Sequence, residues 1–522
     1  MSRQIWMFPR NKRRMPPLET ALILRAMVVA SDLGNIWGGE QKKQNKFSQI
    51  LEEYGLKKGG NQRDENSGGP RTYESQMSLL GLLFKDKEGK LNLTQAGEDL
   101  VAFNNTAKTF EYQVLKAQFP SAYSMSKGVG LDKNIKIRPF IFLLKLANDE
   151  ELNGLADKDM VVPVVFGKDA NCFEICKKLI QKLRIDGVES VIPDDETIRT
   201  SKTLNNSYEQ RLSDIHDIAN TFKNILESSG LAGLRVVDGQ TRVFPRHDIL
   251  EKISEIDALP FVDFVNLPKE QATLQYGKRF GTNRDTRRTF MPAKAPELLS
   301  SSGLIYRRFL DEVSLPVSQA EINEFAKTMS DEFKIKKEQV MNALEPILVN
   351  TDQYTGSKLL DVSRGGVITA MAFEKSVEKI FKLDFGFETE WTGRTHRKKT
   401  GGYMDVFVVE TGRNLCGIID TKSMKTYDLP TQDMGKVITN YIDAASELYG
   451  SRNLELKFVA YISHLIGSGA ATRAKEIYDR KNVPISLISA YGLNTMRENY
   501  LYKNNSSLVT NALSKDPVNL IL

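Results

Sequence analysis

A chain of 522 residues exceeds what one hydrophobic core ordinarily organises, so roughly two to four domains are expected. With 41% hydrophobic and 26% charged residues, the composition argues against both a disordered chain and a membrane protein. The net charge of +6 is mild for a nucleic-acid binder, so the placement of the basic residues carries more information than their sum.

Basic residues open the chain: Arg3, Arg10, Lys12, Arg13 and Arg14 come with no acid among them. The apolar run Ala21 to Ala30 follows Pro16, Pro17 and Glu19 and is interrupted by Arg25. It falls far below the roughly 20 residues of a membrane span and lacks a small-residue cleavage site, so it reads as a helix of an intracellular protein with no membrane partner. After a polar, glycine-rich loop (57–70), the segment Phe84 to Leu93 places a Glu-Gly turn between two short apolar strands, a hairpin signal. Thr94 is a natural N-cap for the helix that follows. Helix, hairpin and helix in that order predict a winged-helix element able to place one helix in a major groove, or a winged fold used only for packing.

Residues 1–145 are read as an N-terminal DNA-recognition subdomain and 146–300 as a second one. The second carries helical patterns at Ala170 to Leu183 and Ser207 to Ser228, then a hairpin at Leu234 to Phe244 with a strong Asp238-Gly239 turn. It ends in a basic cluster, Lys278, Arg279, Arg284, Arg287, Arg288 and Lys294, interleaved with Tyr276, Phe280 and Phe290. Residues 301–356 read as a helical linker, clearest at Gln319 to Phe333 and Lys337 to Leu344. Residues 357–522 alternate helices and strands: strands near Asp405 and Asp420, a helix from Thr431 to Gly450, a strand at Leu456 to Ile462, a helix at Ala470 to Asp479 and a strand at Pro484 to Ser489. This predicts a mixed α/β sheet flanked by helices. Three cysteines, 172, 176 and 416, form no zinc set with the four histidines and read as buried small hydrophobes.

The chemistry concentrates in residues 401–425. Asp420 and Lys422 end the apolar run Leu415 to Ile419 and, two apart on a strand, share a face. The preceding strand, Met404 to Glu410, reaches it through the polar turn Thr411 to Asn414. If that turn centres on Gly412 and Arg413, residues whose numbers sum to 825 face each other, and Asp405 stands opposite Asp420. Like charges so paired destabilise a sheet without compensation, and an all-oxygen site of this kind suits Mg²⁺. The acid-x-base triplet alone proves little, because chance supplies about nine in a chain with 66 acidic and 72 basic residues. Its context raises it: a strand end, a facing acid, and a third basic cluster, Arg394, His396, Arg397, Lys398 and Lys399, just upstream. Three basic clusters, with Arg10, Lys12, Arg13 and Arg14, Lys278, Arg279, Arg284, Arg287 and Arg288, and Arg394, Arg397 and Lys398 as candidate contacts, favour the phosphate backbone of double-stranded DNA as partner.

Gly417-Ile418-Ile419-Asp420-Thr421-Lys422, followed by Tyr427-Asp428-Leu429-Pro430 and a helix carrying Tyr441, resembles the cleavage domain of the FokI-type IIS restriction endonucleases, in the PD-(D/E)xK nuclease superfamily. The resemblance implies a metal at Asp405 and Asp420, a catalytic Lys422 beside the attacking water, and an acid from the first helix. Glu374 is that acid, with Glu378 one turn later as its rival on the same helical face. Met404 stands where the motif has proline. Further short segments, Gln4-Ile5-Trp6, Pro9-Arg10, Gly34 to Gly39 with Trp37, and Gly89 to Gly97, are similar to the AlwI family of type IIS and strand-nicking endonucleases.

These resemblances imply a multidomain protein: a mainly helical, winged-helix-like recognition region followed by an α/β PD-(D/E)xK nuclease domain. The implied activity is Mg²⁺-dependent hydrolysis of DNA at a fixed distance from a short asymmetric sequence, in the bacterial cytoplasm, beside a cognate DNA methyltransferase. Cutting both strands implies a transient homodimer or a second subunit. Gly435 to Tyr441 lacks the acid and arginine through which FokI-type domains pair, which leaves strand-specific nicking open. A nuclease without a fixed offset and a non-cutting winged-helix DNA-binding protein are the remaining alternatives.

Overall fold

The computed structural model describes residues 2–9, 14–57, 68–194, 198, 207–279, 302–392, 404–450, 452–500 and 505–522. The chain forms two compact units, one of Met1–Gly233, Arg242–Arg308 and Gln339–Asn350, the other of Leu234–Thr241, Phe309–Glu338 and Thr351–Leu522. Residues 1–145 and 146–300, read as separate subdomains, fall within the first unit apart from 234–241.

In the first unit the apolar run near the start lies in the helix Pro17–Ser31, which begins with proline in its first turn and is buried along most of its length. The hairpin expected at 84–93 is present as β1 (Leu83–Lys85) and β2 (Leu91–Leu93), antiparallel with Leu83 opposite Leu93. Its turn is closed by Asp86, whose Oδ1 accepts from the backbone nitrogens of Glu88 at 3.1 Å and Lys90 at 2.9 Å. Thr94 caps the helix Gln95–Val101, its hydroxyl accepting from Gly97 N at 3.1 Å. Gly97 is required there, since a Cβ would lie 1.9 Å from the carbonyl oxygen of Leu82. The order of helix (Gly68–Leu79), hairpin and helix is as the sequence indicates.

Ser207 caps the helix Tyr208–Ser228. The second hairpin is formed by β3 (Ala232–Val237) and β4 (Gln240–Pro245), with Asp238 and Gly239 at φ 51° and 72°, the positive angles that a type I′ turn demands. The tryptophans near the N-terminus are core. Trp6 is fully buried against Phe119, Phe142 and Phe222, and Trp37 against Phe47.

The second unit is built on a six-stranded sheet of β5 (Glu388–Glu390), β6 (Val406–Glu410), β7 (Leu415–Thr421), β8 (Glu455–Ser463), β9 (Ile485–Ser489) and β10 (Val518–Ile521), in spatial order β10-β9-β8-β7-β6-β5. The pairs from β7 to β10 are parallel, and β6 runs antiparallel to both β5 and β7. Both faces are covered, which is why these strands read as continuous apolar runs. Val406, Val408, Ile419, Phe458 and Ile462 face the helices Ala370–Lys379, Ala490–Tyr500 and Ser506–Leu513. Phe407, Val409, Ile418, Val459 and Leu487 face the helical run from Thr431 to Gly450 and the helix Ala470–Lys481. Gly417 admits the ring of Phe458, whose Cζ would lie 2.2 Å from an added Cβ. Among the described helices none is long and apolar enough to cross a membrane.

Candidate active site

The β6–β7 register is Val406 opposite Ile419 through Glu410 opposite Leu415, the pairing expected from the sequence. The turn closes with Asn414 in the left-handed region at φ 52°. Asp405 lies one residue before that ladder, its N–H donating to Ile419 O at 3.2 Å one step out of register, and its carboxyl adjoins that of Asp420. By strand alternation Asp420 and Lys422 lie on the face of Ile418.

The two acids are held differently. Asp405 Oδ2 accepts from Thr421 N at 2.7 Å and from Thr421 Oγ1 at 2.9 Å. Asp420, 1% exposed, has its Oδ2 2.8 Å from Lys422 Nζ. Lys422 and Tyr441 are thus the groups that meet this buried carboxyl from the protein's own side.

The charges follow from burial. Asp405 is raised above the usual carboxylate range, first by burial and then by Glu374. Asp420 is pushed up to about 8 by burial and by Asp405. Burial alone would lower Lys422, but Asp420 and Asp405 outweigh it and hold the ammonium charged. Two adjoining carboxyls are a donor set suited to a hard divalent cation. Among the described residues no three His, Cys, Asp or Glu side chains converge as a ligand group, so Glu374 does not complete a set of three.

The two glutamates of the first helix diverge. Glu374 is buried, acts electrostatically on Asp405, and accepts from Trp391 Nε1 at 3.1 Å. Glu378 accepts from Thr389 Oγ1 on β5 instead.

Further features around the pair lie beyond the sequence reading. The helix after Pro430 is interrupted by a π turn, Val437–Tyr441, which carries the buried Tyr441. Burial raises Tyr441, and the charges of Asp420 and Asp405 add to it. Asp433 accepts from Tyr427 Oη at 2.9 Å and from Lys436 Nζ at 2.8 Å. Against burial, Lys436 and Lys422 hold its carboxyl low. Its place in the first helical turn after a proline was the available signal. Ser463, at the end of β8, donates to the carbonyl oxygen of Lys422 at 2.7 Å and so braces the exit of the catalytic strand. No local pattern announces that contact, which joins residues 41 positions apart.

Of the candidate DNA contacts, Arg14, Lys278 and Arg279 fall among the described residues. Arg14 pairs with Glu227. Arg279 pairs with Glu98 at 2.8 Å and Asp99 at 2.9 Å, and Lys278 beside it is half-buried. Arg10, Lys12, Arg13, Arg284, Arg287, Arg288, Arg394, Arg397 and Lys398 lie outside the described residues. Cys176 and Cys416 are buried, as read, while Cys172 is half-buried.

Residues 333–515, which hold this acid pair and its adjoining lysine, match the family model of the FokI cleavage domain. Residues 333–515 thus form a FokI-like cleavage domain, the nuclease part of a site-specific deoxyribonuclease. Two solved structures, one of restriction endonuclease FokI and one of FokI bound to DNA, align over 99% and 100% of this chain and 100% and 99% of theirs, at 10% and 11% identity and TM-scores of 0.29 and 0.26. At that level of likeness the whole-chain alignments decide nothing, and the domain match stands by itself. No curated protein matches the chain.

Proposed function

We propose that the chain recognises a short asymmetric sequence in double-stranded DNA with its N-terminal region and hydrolyses the backbone a fixed distance away, in a Mg²⁺-dependent reaction. The observation that carries this reading is the adjacency of Asp405 and Asp420 beside Lys422, inside the segment that matches the FokI cleavage domain. The arrangement is that of a PD-(D/E)xK site with Met404 in the proline position. Asp405 and Asp420 would hold the cation, which when bound supplies Lewis-acid polarisation of a non-bridging phosphate oxygen.

The protein's own groups do the rest. Lys422, kept as an ammonium by the two acids, donates hydrogen bonds toward the attacking water and the charge growing on the phosphoryl oxygens. Glu374 deepens the negative field that draws a cation to the pair. Thr421 fixes Asp405 through two hydrogen bonds, and Ser463 fixes the backbone of Lys422.

The recognition half is read as winged-helix-like on the helix Gly68–Leu79, the β1–β2 hairpin and the helix Gln95–Val101. Its AlwI resemblance rests on the segments around Trp6, Trp37 and Gly89 to Gly97. Lys278 and the basic clusters at 10–14, 284–288 and 394–398 are the proposed backbone contacts. A cognate methyltransferase and a cytoplasmic setting complete the proposal.

A second reading, strand-specific nicking, is favoured by one observation. Gly435 to Tyr441 offers no acid–arginine pair to a second copy, and its one basic residue, Lys436, is engaged with Asp433. Digestion of a sequenced plasmid with and without Mg²⁺, followed by mapping of the ends on each strand, separates the two readings and tests both.

A further inference from the structure

Beside the catalytic hairpin the cleavage domain carries an apolar tip. Val367 and Ile368 are each 95% exposed, with Met371 at 51% and Met424 at 43%. Leaving a Val or Ile side chain in water forgoes the stabilisation of burial, so two adjacent ones at near-complete exposure suit a surface that meets something else.

The tip is a defined turn. Gly366, at φ 70°, opens a 3₁₀ turn over Gly366–Ile368, and at Gly365 an added Cβ would lie 2.3 Å from Thr369 Oγ1. Thr369 ties the turn to the catalytic strand: its hydroxyl is 2.9 Å from that of Ser423, and the two lie 2.7 and 2.8 Å from the carbonyl oxygen of Val362. Ser423 directly follows Lys422. The apolar tip and the catalytic lysine are therefore anchored to one carbonyl.

Area and charge select the occupant. A second copy of the chain would need roughly 800 Å² per partner, and two protruding aliphatic side chains with two half-covered methionines offer a small part of that. DNA fits, because the substrate must bring a phosphodiester to Asp405, Asp420 and Lys422. Basic side chains also adjoin the tip on both segments: the exposed Lys425, the half-buried Lys375 one helical turn from Met371, and Arg364, which is paired with Asp361 at 3.1 Å.

We infer that Val367 and Ile368 form an apolar wedge that enters a groove of the duplex beside the scissile phosphate and loosens the base step there, the use to which proteins that bend DNA put exposed aliphatic side chains. The inference rests on the nuclease reading.

The test begins by mapping the wild-type cut on plasmid DNA in Mg²⁺. Two synthetic duplexes carrying the mapped site are then compared, one fully paired and one mismatched at the scissile step. Unstacking costs a few kcal/mol per step, so the full-length Val367→Ser/Ile368→Ser variant is expected to cut the paired duplex roughly tenfold or more slowly and the mismatched duplex within about threefold of wild type. Its melting temperature should not move, since both positions are exposed, and Ile368→Ser alone gives the same readout if the pair disturbs folding. Equal slowing on both duplexes, no slowing, or slowing cured by raising the protein concentration, the mark of a dimer contact, would overturn the wedge. A wild-type protein that leaves the plasmid uncut would instead overturn the nuclease reading, and the wedge with it.

Discussion

The carboxylate of Asp405 accepts a hydrogen bond from the backbone nitrogen of Thr421 at 2.7 Å, so the first acid of the site is fastened to the strand that carries the second. The backbone bond survives any side-chain change at 421, whereas the 2.9 Å bond from the Thr421 hydroxyl does not. Thr421→Val keeps the β-branched shape and removes one hydrogen bond to a charged group, worth about 1.5–3 kcal/mol. Cleavage measured in single turnover should fall by roughly tenfold to a hundredfold with the fold intact. An unchanged rate would show that the backbone contact alone positions Asp405.

The first-helix glutamates give a paired prediction. Glu374 bears on Asp405 and Glu378 is turned to Thr389. Glu374→Gln, which keeps an acceptor for Trp391, should therefore slow cleavage by about tenfold or more, while Glu378→Gln stays within about threefold. The reverse ranking in steady-state assays would reassign the role to Glu378.

The adjoining acids should weaken the metal-free fold in a pH-dependent way. An unfolded aspartate titrates near about 3.9, whereas Asp420 in the fold is pushed up to about 8. The folded state thus keeps a proton that the unfolded state releases, and stability is withdrawn progressively as pH rises across that window. Asp420→Asn removes the group. In chelator, its urea midpoint should gain on wild type between pH 5 and pH 8, and added Mg²⁺ should recover the wild type alone. Parallel pH profiles for the two proteins would contradict the burial argument.

Gly417→Ala tests the packing beneath the site. An added Cβ would lie 2.2 Å from the ring of Phe458, so the ring must move within a filled core. A loss of about 1–3 kcal/mol is expected by denaturant unfolding. A neutral result would mean that the ring has room to shift.

The β6–β7 hairpin was legible because a strand has a period of two: one turn assignment fixed the register from Val406 opposite Ile419 to Glu410 opposite Leu415, and Asp405 just before it comes beside Asp420. The two N-terminal hairpins were legible for a similar local reason, since Gly89 of the Glu-Gly turn, and Asp238 with Gly239, take the positive φ that tight turns need. What escaped is long-range. The short edge strand Glu388–Glu390 has no apolar pattern, being three polar residues paired on one side only. The bracing of Lys422 by Ser463 and the choice of Glu374 over Glu378 depend on which side chains tertiary packing brings together. The π turn that carries Tyr441 leaves the ordinary helical period of its segment, which the sequence shows as one unbroken helix.

The most direct test of the account is end mapping of plasmid DNA digested by wild type and by the purified Asp420→Ala/Lys422→Ala variant in Mg²⁺, alongside a binding assay on the mapped site. The account predicts wild-type cuts at one fixed offset from a common sequence, and a variant that binds that sequence without cutting it. Cutting by the variant at the wild-type rate, or wild-type ends scattered without a common sequence, would contradict it.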